Sequence, residues 1–178
     1  MQIVMERENH SVWSVYDKLR TACLNVKYFS RRLAALERQN FLIEITLLAT
    51  APSSAVAGLW FWNTEYGWMI WQYLGIISAI AAILKPSLQL TKKIKDFESV
   101  LSGYRTLEYD LREIKTLIEQ SKKYDKRLQL EFQKALHREK ILVGKTPETK
   151  ENKKLIEICE QEVRSAFPGK SFFIPTEE

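Results

Sequence analysis

The stretch FLIEITLLATAPSSAVAGLWFWNTEYGWMIWQYLGIISAIAAIL, residues 41–84, decides the fold that the sequence predicts. Its only charged residues are Glu44 and Glu65, and a polar break at residues 63–66 divides it into two apolar segments. An α-helix rises about 1.5 Å per residue, so residues 41–62 are long enough for the roughly 30 Å hydrocarbon layer of a bilayer. Residues 67–84 are sufficient if that helix stands nearly upright. The stretch therefore predicts two transmembrane helices in a tight hairpin.

The alternative is a pair of buried helices in the core of a soluble protein. The chain has 178 residues and a net charge of +5. Outside residues 41–84 it is rich in Lys, Arg and Glu, which leaves too little apolar surface to enclose two such helices. We therefore predict an all-α membrane protein with a two-span hairpin and long cytoplasmic helices. The predicted regions are an N-terminal cytoplasmic amphipathic helix at 1–40, the hairpin at 41–84 with spans 41–62 and 67–84, a long cytoplasmic helical region at 85–143, and a C-terminal helix and tail at 144–178.

Basic residues flank the hairpin on both sides, and its connecting turn contains none. They are Lys27, Arg31, Arg32 and Arg38 before it and Lys85, Lys92, Lys93 and Lys95 after it. Because basic residues favour the cytoplasmic side of a membrane, both termini are predicted to be cytoplasmic.

Five aromatic residues cluster around the polar break, where they would share one membrane depth. The predicted membrane anchors are Trp60, Trp62, Tyr66, Trp68 and Trp71. Indole and phenol rings favour the headgroup region, because they are apolar in body and carry one polar group. The alternative role for these rings is to gate a pore.

Small residues dominate positions 49–58 and recur in the second segment, which is typical of helices that pack closely. One hairpin offers too little area to bury both small faces, so we predict a homo-oligomer, with four copies as the favoured number. Stepping from Glu44 by helical turns gives the predicted pore or packing face, which consists of Glu44, Leu47, Ala51, Ser54 and Gly58. Glu44 has three alternatives: it faces a water-filled lumen, pairs with Arg38 or Lys85, or reaches the interface.

Helical patterns extend on both sides of the hairpin. Apolar residues recur every three or four positions over residues 10–40, and we expect this helix to continue into the first span. A second pattern runs from residue 90 to about 143, with a break expected near Gly103 or Ser121. Thr146, Pro147 and Glu148 predict the start of a C-terminal helix. The tail at 170–178 is a docking strand, an autoinhibitory plug or a frayed end.

The sequence contains no glycine-rich phosphate loop, metal-ligand cluster or nucleophile elbow. We therefore predict no enzymatic activity, no metal and no cofactor. A candidate ligand-binding site is formed by the basic residues Lys122, Lys123, Lys126 and Arg127, which attract anions. Because they alternate with acidic residues, a solvated helix face is the alternative.

The order of these parts resembles a known family. An aromatic and basic run, Lys27-Tyr-Phe-Ser-Arg-Arg32, precedes the hairpin, and a helix carrying Leu101-Ser-Gly-Tyr-Arg-Thr-Leu-Glu-Tyr-Asp-Leu-Arg112 follows it. Over about residues 10–140 the chain is similar to the SLATT domain, the two-transmembrane effector associated with SMODS nucleotidyltransferases and SLOG proteins in bacterial antiphage systems.

This resemblance implies a pore-forming effector in the bacterial inner membrane. It would be closed at rest and opened by a nucleotide signal from a partner nucleotidyltransferase, so that the membrane depolarises and growth stops. The expected partners are the lipid bilayer, further copies of the chain, and the nucleotidyltransferase or its product. Two alternatives stay open: a non-conducting membrane scaffold that recruits a cytoplasmic partner, and a constitutive holin-like toxin.

Overall fold

The computed structural model describes residues 10–50, 64–148 and 150–175. Five α-helices follow one another in these ranges: α1 (Ser11–Thr50), α2 (Glu65–Leu88), α3 (Leu90–Ser121), α4 (Lys126–Gly144) and α5 (Lys153–Ala166). A short 3-10 turn at Gly169–Ser171 comes after α5. The described ranges contain no β-strand, so the predicted all-α class is confirmed.

The predicted multi-pass location in the bacterial inner membrane is contradicted. Within the described ranges, no helix combines the length and the apolar character needed to cross a membrane. The apolar part of α1 begins only at Phe41 and carries Glu44, and residues 51–62 of the first predicted span lie outside the described ranges. In α2 the uncharged stretch between Glu65 and Lys85 provides about 28.5 Å of helix, which is slightly less than the roughly 30 Å of a hydrocarbon layer.

The described residues belong to two compact units. The first, called the bundle here, combines residues up to 32 with residues from 96 onward. Phe29 is central to its core, since its ring stacks on Tyr104 with centroids 5.4 Å apart and meets Phe97 edge-on at 5.9 Å. Further buried residues come from each of its helices, among them Val12, Leu19, Leu111, Ile118, Leu128, Phe132, Cys159 and Val163.

The long pattern after residue 90 forms two helices, α3 and α4. The break lies at Ser121, one of the two predicted places, because Lys122 adopts a left-handed conformation with φ of 56°. Asp125 then caps α4, accepting a hydrogen bond from the Leu128 backbone N–H at 2.9 Å. At Gly103 α3 continues without a break. That residue packs against the Leu142 side chain of α4, where a Cβ atom would overlap it.

The predicted start of the C-terminal helix at Thr146 is wrong. α5 begins at Lys153, and Asn152 caps it by accepting a hydrogen bond from the Leu155 backbone N–H at 3.2 Å. Glu148 therefore lies before the first turn of α5, and its carboxylate accepts a hydrogen bond from the Tyr28 hydroxyl of α1 at 2.5 Å. A long-range contact has thus overridden a local capping pattern.

The segment after α5, residues 169–175, is docked on the bundle. The Phe172 ring is buried and stacks on Tyr16 of α1 with centroids 4.3 Å apart, while Trp13 meets it edge-on at 5.9 Å. The Tyr16 hydroxyl donates a hydrogen bond to the Phe173 carbonyl. For these residues the frayed-end alternative is wrong, and residues 176–178 lie outside the described ranges.

The second unit comprises residues 33–95 and contains the rest of α1, all of α2 and the beginning of α3. As expected, α1 continues without interruption beyond residue 40. Thr64 caps α2, accepting a hydrogen bond from the Gly67 backbone N–H at 3.1 Å. α2 ends where Gln89 adopts a left-handed conformation with φ of 46°, directly before α3.

Candidate functional site

One exposed face of α2 carries large apolar side chains at alternating steps of three and four residues. This set, called the α2 seam here, consists of Tyr66, Met69, Tyr73, Ile76, Ile80 and Ile83. Their exposed fractions range from 48 to 77%. Such spacing places side chains along one stripe of a helix and is typical of the contact line between two helices in a coiled coil. The α2 seam therefore has the form of a helix-packing surface.

The opposite face of α2 lies inside the unit formed by residues 33–95. Gly67 and Ala81 are buried there, and Ser78 and Lys85 are half-buried. Three of these positions, 78, 81 and 85, are also spaced three and four residues apart, as expected for one face of a helix. One face of α2 is thus in contact within the chain, whereas the side chains of the α2 seam are largely exposed.

The end of α1 presents a shorter stripe of the same kind. Phe41, Ile45 and Leu48 are spaced four and three residues apart, and all three are exposed. This stripe and the α2 seam both belong to the unit formed by residues 33–95. Large exposed apolar surface marks a site of interaction.

Glu44 joins α1 to α2 within the same unit. Its carboxylate accepts hydrogen bonds from Lys85 Nζ at 3.2 Å and from Asn40 Nδ2 at 3.1 Å. The hydrogen bond from Lys85, followed by that from Asn40, lowers the pKa of Glu44 below its usual value. Of the three alternatives for Glu44, pairing with Lys85 is therefore observed. This ion pair fixes which turn of α1 lies beside which turn of α2.

The remaining residues of the predicted pore or packing face divide between described and undescribed parts of the chain. Leu47 lies on α1 and is half-buried. Ala51, Ser54 and Gly58 lie outside the described residues, as do the predicted anchors Trp60 and Trp62. Tyr66 is exposed at the start of the α2 seam. Trp68 and Trp71 lie on α2, and the structure describes their backbone but not their side chains. The pore and anchoring roles of these residues stay predictions.

The predicted basic ligand site surrounds the connection between α3 and α4. Lys123, Lys126 and Arg127 are exposed there. Lys122 has a structural contact, because its ammonium lies 4.2 Å from the centre of the Phe173 ring. Arg127 lines a cavity of about 320 Å³ between α3 and α4 that also contains Asp110, Glu113 and Glu131. Opposite charges therefore surround this residue, and ligand binding by the four basic residues stays a prediction.

In the described ranges, no three His, Cys, Asp or Glu side chains are close enough together to hold a metal ion. The two cysteines, Cys23 and Cys159, are buried. Burial, followed by the nearby charge of Glu108, raises the pKa of the Cys23 thiol to about 12, which leaves it protonated and a poor nucleophile at neutral pH.

Comparison with known proteins returned no match among protein-family models, curated proteins or solved structures. The surface of α2 is thus interpreted from its own geometry. Sequence reasoning placed this helix in a membrane with its small residues as the packing face, and it did not identify the seam, although the spacing of Tyr66, Tyr73 and Ile80 is visible in the sequence.

Proposed function

We propose that the chain is a self-assembling helical protein whose copies associate through the α2 seam. The observation that carries this proposal is the exposure of six large apolar side chains at coiled-coil spacing on one helix face. Leaving that surface in water is unfavourable by about 25 cal/mol for each Å². A partner helix that covers it removes this cost.

A second copy of the chain suits this surface because the surface is uncharged. Between Glu65 and Lys85 the sequence of α2 contains no charged residue, so two α2 helices can approach without like-charge repulsion. Two hairpins that pair in this way form a four-helix bundle, and the predicted tetramer is a pair of such dimers.

The biological role that we propose follows from the resemblance to SLATT-domain effectors. In it, the assembly is a non-enzymatic effector or scaffold of an antiphage system and responds to a nucleotide made by a partner nucleotidyltransferase. The division of the chain into two compact units supports this role. The surface for self-assembly belongs to residues 33–95, and the bundle is available to bind a signal.

Cross-linking tests the surface directly. Ile76→Cys introduces a thiol at the centre of the α2 seam, where it is exposed, while the natural Cys23 and Cys159 are buried. A short bismaleimide should link two copies of this variant into a covalent dimer. The control is Tyr109→Cys, which places an exposed thiol on α3 in the bundle. Equal yields of dimer from both variants, or none from Ile76→Cys, would contradict the proposal.

A further inference from the structure

Three cations lie close together on the part of α1 that belongs to the bundle. Lys27 and Arg31 are one helical turn apart, and Arg32 follows directly. Their side chains are partly exposed, at 42, 42 and 31% respectively. In this structure each of them contacts a carboxylate from the C-terminal part of the chain, Glu148 or Glu162. A cationic surface is thus covered by the chain's own anions.

The two carboxylates divide this surface between them. Glu162 of α5 accepts hydrogen bonds from Lys27 Nζ at 2.8 Å and from Arg31 at 2.5 Å. These hydrogen bonds lower the pKa of Glu162, which therefore stays ionised. Glu148, in the connection before α5, binds Arg32 with one oxygen and the Tyr28 hydroxyl with the other.

Arg32 is incompletely satisfied by this arrangement. Its Nε atom is buried and has no hydrogen-bond partner within the described residues. Glu148 contacts the guanidinium through a single oxygen, while its other oxygen accepts from Tyr28. A buried donor without an acceptor is unfavourable. A phosphate group offers three oxygens and can bind both Nε and a terminal nitrogen of arginine while also accepting from a neighbouring hydroxyl.

α5, which supplies Glu162, has two fully buried side chains. Only Cys159 and Val163 of α5 are buried, whereas Ile158 on the same helix is half exposed. Leu155 and Ile156 of α5 are half-buried. The ion pairs that Glu162 makes with α1 are partly exposed, so each contributes little and is weakened by competing ions, whereas Glu148 is largely buried. A stronger anion can compete with both carboxylates.

We propose that Lys27, Tyr28, Arg31 and Arg32 form a binding site for a ligand with two or more phosphate groups, and that Glu148 and Glu162 occupy this site in the ligand-free chain. One phosphate replaces each carboxylate, and α5 is released from α1 when the ligand binds. This site is where the nucleotide signal of the proposed function would bind, so its biological role rests on that proposed function. All of its residues lie in the bundle, so it is tested separately from self-association.

The first experiment measures binding of sodium tripolyphosphate to the full chain by calorimetry at low salt. Glu148→Gln combined with Glu162→Gln removes the competing charges, and we expect its affinity to be at least about tenfold higher than that of the unchanged chain. Glu98→Gln combined with Glu157→Gln is the matched control, since it changes the net charge of the chain equally but at two exposed positions. Adding Arg32→Gln to the first variant should abolish the gain.

A second measurement follows α5 directly. Hydrogen exchange of the α5 backbone amides should increase in the unchanged chain when tripolyphosphate is added, while exchange in α3 stays the same. Adenosine triphosphate is the companion ligand: an affinity equal to that of tripolyphosphate means that phosphates alone are recognised, and a higher one means that the base also contributes. Equal affinity of the two double variants, absence of binding by both phosphates, or unchanged exchange in α5 would overturn the proposal. Circular dichroism of each variant shows whether its helices are intact.

Discussion

Replacing Phe172 by alanine tests whether the segment after α5 is a structural part of the bundle. The ring is 2% exposed and is in contact with Tyr16 and Trp13 of α1. Burying a phenylalanine contributes about 1.5–3 kcal/mol, and a stacked aromatic pair adds about 0.5–1.5 kcal/mol. Because Phe172 lies outside any α-helix, its segment can detach instead of leaving a cavity, so the loss stays below the largest values measured for such substitutions. We expect Phe172→Ala to lower the free energy of unfolding by about 2–4 kcal/mol.

Urea denaturation followed by far-ultraviolet circular dichroism measures this loss as a shift in the midpoint at an unchanged slope. Phe173→Ala is the matched control. It removes the same ring at the next position, but that ring is only half-buried and its recorded ring contact is with Lys122. We expect the control to lose less than about 1 kcal/mol. A loss below about 0.5 kcal/mol for Phe172→Ala, or equal losses for the two variants, would refute the packing argument.

Three further predictions concern a cap, a thiol and an ion pair. Asp125→Ala removes the acceptor for the Leu128 N–H, and thermal unfolding should show about 1 kcal/mol less stability, whereas Asp125→Asn should retain most of it. Burial raises the pKa of the Cys23 thiol to about 12, so alkylation by iodoacetamide at pH 8 should be at least about 100-fold slower in the folded chain than in urea, and equal rates would contradict this. The hydrogen bond from Lys85 lowers the pKa of Glu44, so the pair's contribution is complete above the pKa of a free glutamate and is lost as the pH falls through the lowered pKa. Acid should therefore lower the protection of the α2 amides, measured relative to exchange of the unfolded chain at the same pH, and the same acid dependence in Glu44→Gln would argue against the pair.

The helices themselves were largely predictable from the sequence. Apolar periodicity depends on local spacing, so it located the continuous helix from residue 11 onward and the end of α4 near Gly144. It also offered Ser121 as a break point, and the structure places the end of α3 there. Which of Gly103 and Ser121 ends the helix depended on packing. Gly103 lies inside a continuous helix, where its lack of a side chain allows close contact with Leu142.

The environment of the apolar helices was less predictable than their existence. A run of apolar residues indicates only that these side chains avoid water. The same run is compatible with contact to lipid, to a protein core or to another copy of the chain. The sequence was read as lipid contact, whereas no described helix is long and apolar enough to cross a membrane.

Contacts between distant parts of the chain were beyond sequence reasoning. Glu148 was expected to support the first turn of a helix, and it binds Tyr28 and Arg32 instead. Nothing in the spacing of residues 146–152 indicates that partner, because the two segments lie more than 100 positions apart in the sequence. The pairing of Glu44 with Lys85 was one of several alternatives that the sequence left open, and the choice among them depended on how the two apolar segments pack.

The molar mass of the full chain in non-denaturing solution tests the central claim most directly. Light scattering during size-exclusion chromatography should give a dimer or tetramer for the unchanged chain. Tyr73→Lys combined with Ile80→Lys introduces charges into the α2 seam and should give a monomer with its helical content retained. Leu130→Lys combined with Ile158→Lys, at exposed positions of the bundle, should leave the oligomer intact. A folded monomer for the unchanged chain, or an unchanged mass for the seam variant, would contradict self-assembly through α2.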